Sequence, residues 1–122
     1  MTLRDRVLPP DPRGVGAEPD YRFTLANERT FLAWIRTALA LAAGGLAAVG
    51  LLDDVALGET LGILLLALSF ATAASAYRRW ALNERSMRLN EPLPTSRLPM
   101  LMAIGTAIVA VVAAVILVVD RP

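Results

Sequence analysis

The 122-residue sequence contains no cysteine, no histidine and no lysine. Missing thiols and imidazoles exclude disulfides, thiolate or imidazole metal sites and a histidine proton shuttle. Missing lysine leaves all twelve basic residues as arginine, which the bias of an Ala- and Arg-rich genome is enough to explain. Nucleophiles are equally scarce. Ser69 and Ser75 are the serines that fall inside an apolar block, and no nucleophile–base pair can be assembled around them. The chain is therefore read as a non-enzyme, with no catalytic residue, metal or cofactor expected.

Charge is absent from long stretches. Residues 61–77 carry none, residues 98–119 carry none, and residues 30–52 carry Arg36 alone. What fills these stretches is apolar. Hydrophobic residues make up 56% of the chain and the mean hydropathy is +0.54, too apolar for an ordinary soluble domain. Each block is long enough, or nearly so, to cross a hydrocarbon core of roughly 30 Å at about 1.5 Å per residue. The middle block is the shortest, and Leu57 and Trp80 extend it into the interfaces. A soluble bundle of buried helices is the competing reading, and the rarity of charge inside the blocks argues against it. The expected fold is an all-α membrane protein with three transmembrane helices spanning about 28–52, 57–78 and 98–119. Residues 1–20, with Pro9, Pro10, Pro12, Pro19, Gly14 and Gly16, read as a flexible leader that cannot bury a core. Residues 21–122 form the membrane domain. The polar stretch ahead of residue 30 is too long for the n-region of a cleaved signal.

The arginines set an expected orientation. Arg4, Arg6, Arg13, Arg22 and Arg29 precede the first block, and Arg78, Arg79, Arg85, Arg88 and Arg97 separate the second from the third. Residues 53–59 between the first two blocks carry three acids and no arginine, and Arg121 is the one basic residue of the tail. The positive-inside rule places both arginine-rich segments in the cytoplasm, with the N-terminus in and the C-terminus out.

Local signals fill in the elements. The pattern turns amphipathic near Tyr21 and runs into the first span, whose far half holds Gly44, Gly45 and Gly50. Residues 53–58 read as a tight turn joining the first two spans in an antiparallel hairpin. The second span is rich in small residues, with Thr72 and Ala76 on one four-residue row and Ala67, Ala71 and Ser75 on another. Such rows let membrane helices approach closely. Tyr77, Trp80 and their neighbouring arginines mark an interface. Beyond it "RRWALNERSMRLN" continues the helix, with Glu84 and Arg88 paired at i,i+4. "EPLPTSRLP" then breaks it, and Ser96 is the expected N-cap of the third helix with Pro99 in its first turn.

Arg22, Arg29 and Arg36 are seven residues apart and share nearly one helical face. Ala33, Thr37, Ala40 and Gly44 lie on adjacent columns as candidate packing residues, whereas Phe31, Leu32, Ile35, Leu39, Leu46 and Val49 make a lipid-like face. Arg36 sits roughly 9 Å into the apolar run. An arginine at a helix centre costs about 2.5–3.5 kcal/mol on insertion scales, less if it snorkels to lipid phosphates. Its alternatives are snorkelling or an interior position facing an acid or a wet cavity. Glu28 is the acid near that depth, and it is expected to pair with Arg78 or Arg79 of another helix. The triplet Asn-Glu-Arg recurs at 27–29 and 83–85, which chance or shared interfacial chemistry explains as well as duplication does.

The block "FTLANERTFLAWIRTALAL" resembles the signature of the YidH-like family, small bacterial membrane proteins built on a domain of unknown function. It is also similar to the membrane domain of the eukaryotic vacuolar transporter chaperone subunits, which make and translocate polyphosphate. The resemblance covers about residues 20–120. It implies a basic path formed by first-span helices of several subunits, with roles for Arg22, Glu28, Arg29 and Arg97 and with Arg36 on the same face. The sequence holds no soluble polymerase or phosphate-sensing domain, so polymerase activity does not carry over. Two functions follow as expectations. One is a homo-oligomeric anion or polyanion path lined by Arg22, Arg29, Arg36 and Arg97. The other is an accessory or scaffold subunit holding anionic lipid headgroups or a partner membrane protein. The expected partners are the bilayer of the bacterial plasma (inner) membrane, further copies of the chain, and an anionic lipid or phosphate-type anion. Nucleic acid is not among them.

Overall fold

A computed structural model describes residues 3–4 and 8–120, so Arg6 and Arg121 of the charge count lie outside the described residues. Three long helices follow a single 3-10 turn at Pro12–Gly14: α1 (Tyr21–Leu51), α2 (Gly58–Arg88) and α3 (Leu98–Val119). There is no strand among the described residues, and all three helices are long and apolar enough to span a membrane.

Helix α1 starts where Asp20 accepts the Arg22 N–H at 3.0 Å, while the Arg22 guanidinium turns back to the same carboxylate at 3.8 Å. Its 31 residues extend about 46 Å, well beyond a hydrocarbon core of roughly 30 Å. The surplus lies at the arginine-bearing end. The turn to α2 is tight, with Val55 N–H on Leu52 C=O and Gly58 N–H on Val55 C=O. Leu57 takes a left-handed conformation at φ +67°, and a Cβ on Gly58 would collide with the Leu52 backbone. Helix α2 also has 31 residues and runs past the interface to Arg88, as the charged "RRWALNERSMR" stretch suggests. It ends in a Schellman motif, with left-handed Asn90 at φ +55° and the Glu91 N–H on Ser86 C=O. Helix α3 is capped one residue later than expected. Arg97 holds the cap position, while the Ser96 hydroxyl still accepts the Leu98 N–H at 3.2 Å.

The first two helices pack antiparallel along their whole length. At the far end Gly45 and Gly62 face each other, and a Cβ on either would come within 3.0 Å of the other's carbonyl oxygen. Midway, the Ser69 hydroxyl donates to Ala38 C=O at 2.6 Å. At the arginine end, Phe31 and Trp80 stack at a tilt with centroids 6.3 Å apart. Helix α3 rests chiefly on α2, where fully buried Thr72 donates to Leu68 C=O and meets Met102 Sδ at 3.0 Å. The helices thus stand in a row with α2 in the middle.

The leader is not free over residues 11–17. Asp11 accepts the Arg13 N–H at 3.0 Å and holds its guanidinium through both carboxylate oxygens. That hydrogen bonding pulls the Asp11 carboxyl below its usual value and raises Arg13. Pro12 is buried, the Ala17 N–H donates to Arg88 C=O at 3.1 Å, and Arg88 Nη1 donates to Arg13 C=O at 3.4 Å. Left-handed Gly16 lies so close to the Arg88 backbone that no Cβ fits. Here Pro12 and Gly16 are the docking devices of a turn seated on the end of α2. Residues 1–2 and 5–7 of the expected leader lie outside the described residues.

Candidate functional site

The four arginines singled out by sequence fall on two separate surfaces. Arg22, Arg29 and Arg36 are all exposed on α1, and Arg29 and Arg36 border a shallow hollow with Leu25, Glu28, Leu32 and Ala33. The positions of α1 buried against the rest of the fold are Asn27, Ala38, Gly45 and Ala48. With about 100° between successive residues, Arg29 and Arg36 point almost directly away from that contact face. The fourth candidate, Arg97, lies at the start of α3 and shares a recess with Arg78 and Arg79 of α2.

The contact face is offset by one position from the small-residue columns. Ala33 and Ala40 are exposed on the same outward side as the arginines, and Thr37 and Gly44 lie at the edge of the contact. The Thr37 hydroxyl is occupied by its own helix, donating to Ala33 C=O at 3.3 Å. Ala38 and Gly45 meet α2 instead. On α2, Thr72 and Ala76 are buried and Ala67 is exposed, so the first of the two rows is the one that packs.

Glu28 pairs with neither Arg78 nor Arg79. It is exposed beside Phe31, Leu32, Tyr77 and Trp80. Among the described residues the ion pairs are Arg13–Asp11, Arg22–Asp20 and Arg88–Glu84. None involves Arg29, Arg36, Arg78, Arg79 or Arg97.

The buried acid is Glu84, only 3% exposed. It accepts from the Thr24 hydroxyl at 3.3 Å and faces Arg88 at 3.7 Å, the i,i+4 pair expected from sequence. Next to it, buried Asn27 donates to Trp80 C=O at 3.0 Å and accepts from Asn83 at 3.4 Å. The two Asn-Glu-Arg triplets therefore lie side by side on antiparallel helices, joined through their asparagines. Their roles diverge. Glu28 and Arg29 face outward, whereas Glu84 is buried and Arg85 exposed. The polar clasp that joins Thr24, Asn27, Asn83 and Glu84 across the two helices is not assigned from the sequence, and the repeated triplet is the signal that could have found it.

Residues 22–86, the hairpin that carries both triplets, match the family described as "Domain of unknown function (DUF202)". The chain belongs to the DUF202 family. An uncharacterized protein of Mycobacterium tuberculosis H37Rv is 46% identical over 99 residues, covering 79% of this chain and 81% of its own. The inner membrane protein YidH of Escherichia coli K12 is 46% identical over 101 residues, covering 80% and 88%. No solved structure matches the chain. The YidH relationship and the three apolar helices make this DUF202 protein a multi-pass protein of the inner membrane. Its matched segment takes in the α1 arginines and Arg78 and Arg79, and stops before Arg97 and α3.

Proposed function

We propose that this DUF202 protein works as a homo-oligomer in which the arginine face of α1 lines a binding or translocation path for a phosphate-type anion or polyanion. The observation that carries this reading is the placement of Arg22, Arg29 and Arg36 on one exposed face, opposite the side that α2 occupies. Arg29 and Arg36 have no acid partner among the described residues. Three helices standing in a row cannot enclose a pore, so several copies must turn these faces towards one another. Ala33 and Ala40 on the same side leave room for water and anion beside the guanidinium groups. Rings of basic side chains are how anion and phosphate pores are lined. The arginine-rich end lies in the cytoplasm in this arrangement, as the positive-inside rule directs. The resemblance to the vacuolar transporter chaperone membrane domain adds the polyanion to the candidate cargoes.

A second reading, an accessory subunit that holds anionic lipid or a partner membrane protein, is favoured by α3, whose most apolar stretch has no fully buried residue. Anion flux into proteoliposomes separates the two. On the path reading, Arg29→Ala and Arg36→Ala each lower phosphate or tripolyphosphate flux severalfold while helicity is retained. Purified protein that passes no anion under any gradient overturns the path and leaves the accessory reading.

A further inference from the structure

Arg97 does not join the α1 face, and its actual neighbours point to a second site. Between the arginine end of α2 and the start of α3 lies a recess of about 500 Å³. Its basic lining is Arg78, Arg79 and Arg97, and its hydroxyls are Ser75, Thr95 and Ser96. Among the described residues no acid borders it and none of the three arginines makes an ion pair, whereas Arg13, Arg22 and Arg88 all do. Three guanidinium groups drawn to one recess repel each other unless an anion sits among them. The loop ahead of α3 holds the third one there, with buried Leu98 seated in the fold beside Arg97.

We propose that this recess is a phosphate-binding site that grips the phosphate group of an anionic lipid headgroup or of a free phosphate species. Guanidinium forks match phosphate oxygens bidentately, and hydroxyl donors complete such a shell. The end of α3 itself supplies little, since the Leu98 N–H is taken by Ser96 Oγ and Pro99 has none. The Ser96 hydroxyl proton stays available to an anion. On the remaining wall, Leu82, Leu98 and Leu101 are apolar. That mixture suits a headgroup with its first carbons, and the level suits it too, because Tyr77 and Trp80 mark the interface one step away on α2. The site is distinct from the α1 face: it is complete within one chain and needs no second copy.

The test uses the full chain in nanodiscs. In discs of mixed phosphatidylglycerol and phosphatidylcholine, native mass spectrometry reads which lipid stays on the protein. In pure phosphatidylcholine discs, titration with tripolyphosphate reads free phosphate binding. Arg97→Gln and Arg78→Gln are the site variants, and Arg85→Gln, an exposed arginine at the same end outside the recess, is the control. Removing one charged donor is expected to weaken binding on the order of tenfold or more. Loss of retained phosphatidylglycerol in the site variants alone assigns a lipid headgroup, and loss of tripolyphosphate binding in them alone assigns a free phosphate. Arg97→Lys keeps the charge without the fork and falls between wild type and Arg97→Gln. If the site variants and Arg85→Gln behave alike in both arms at wild-type helicity, the proposal is wrong. The same holds if wild type selects neither ligand. Arg29 and Arg36 lie outside the recess, so in an Arg29→Ala/Arg36→Ala background the losses caused by Arg97→Gln and Arg78→Gln persist, and failure of the α1 path and failure of this site are told apart.

Discussion

Arg88 ties the leader to the end of α2 and to the buried Glu84. Its carbonyl receives the leader, its guanidinium reaches Arg13 C=O, and the same group stands 3.7 Å from buried Glu84. Removing one member of a buried pair strands the other, at a cost of about 3–5 kcal/mol. Arg88→Ala is accordingly expected to lower the thermal unfolding midpoint in detergent sharply. Glu84→Gln in the same background should restore much of the loss, because the stranded charge is gone. Equal midpoints for Arg88→Ala and the double variant would show that the pair is not electrostatically coupled. At this scale the sequence was partly legible. The i,i+4 spacing gave Glu84–Arg88, but burial of Glu84 depends on Thr24, sixty positions away, and no local pattern carries that.

At the scale of elements the hairpin is held by close approach instead of bulk. Gly45 and Gly62 bring two backbones together where larger residues would separate them, and lipid offers no hydrophobic drive to compensate. Gly62→Val meets Val49 and the Gly45 carbonyl, and overpacking of this kind costs about 1–3 kcal/mol. Gly50→Ala points into open space and should be neutral. Unfolding of both variants in a denaturing detergent series checks the contrast, and equal stability would show that the glycine crossing is not what sets the helix separation. The three spans, the hairpin turn and the extension of α2 past the interface were readable because hydropathy and charge change abruptly at their ends. The phase of α1 was not. From Ala38 to Ala48 small residues occupy nearly every column, so a shift of one position costs nothing in pattern, and Trp34 and Phe31 on α1 decide the phase only once Trp80 is opposite. The docking of residues 11–17 is illegible for a related reason: Pro12 and Gly16 look like breakers until the Arg88 backbone is seen beneath them.

The whole molecule is an open row of three helices and leaves much apolar surface for lipid or for copies of itself. One side of that row is different, because it combines Arg29 and Arg36 with Ala33, Ala40 and Ala47 in place of large apolar residues. On the proposed function these faces meet across copies. The chain has no cysteine, so single cysteines can be introduced without background. Ala40→Cys places a thiol on the arginine side of α1, and Leu46→Cys places one on an exposed flank roughly 120° away on the same helix. In native membranes treated with a short bis-maleimide, Ala40→Cys is predicted to cross-link into dimers and Leu46→Cys to remain monomeric. Monomeric Ala40→Cys, or equal cross-linking at both positions, would contradict the account.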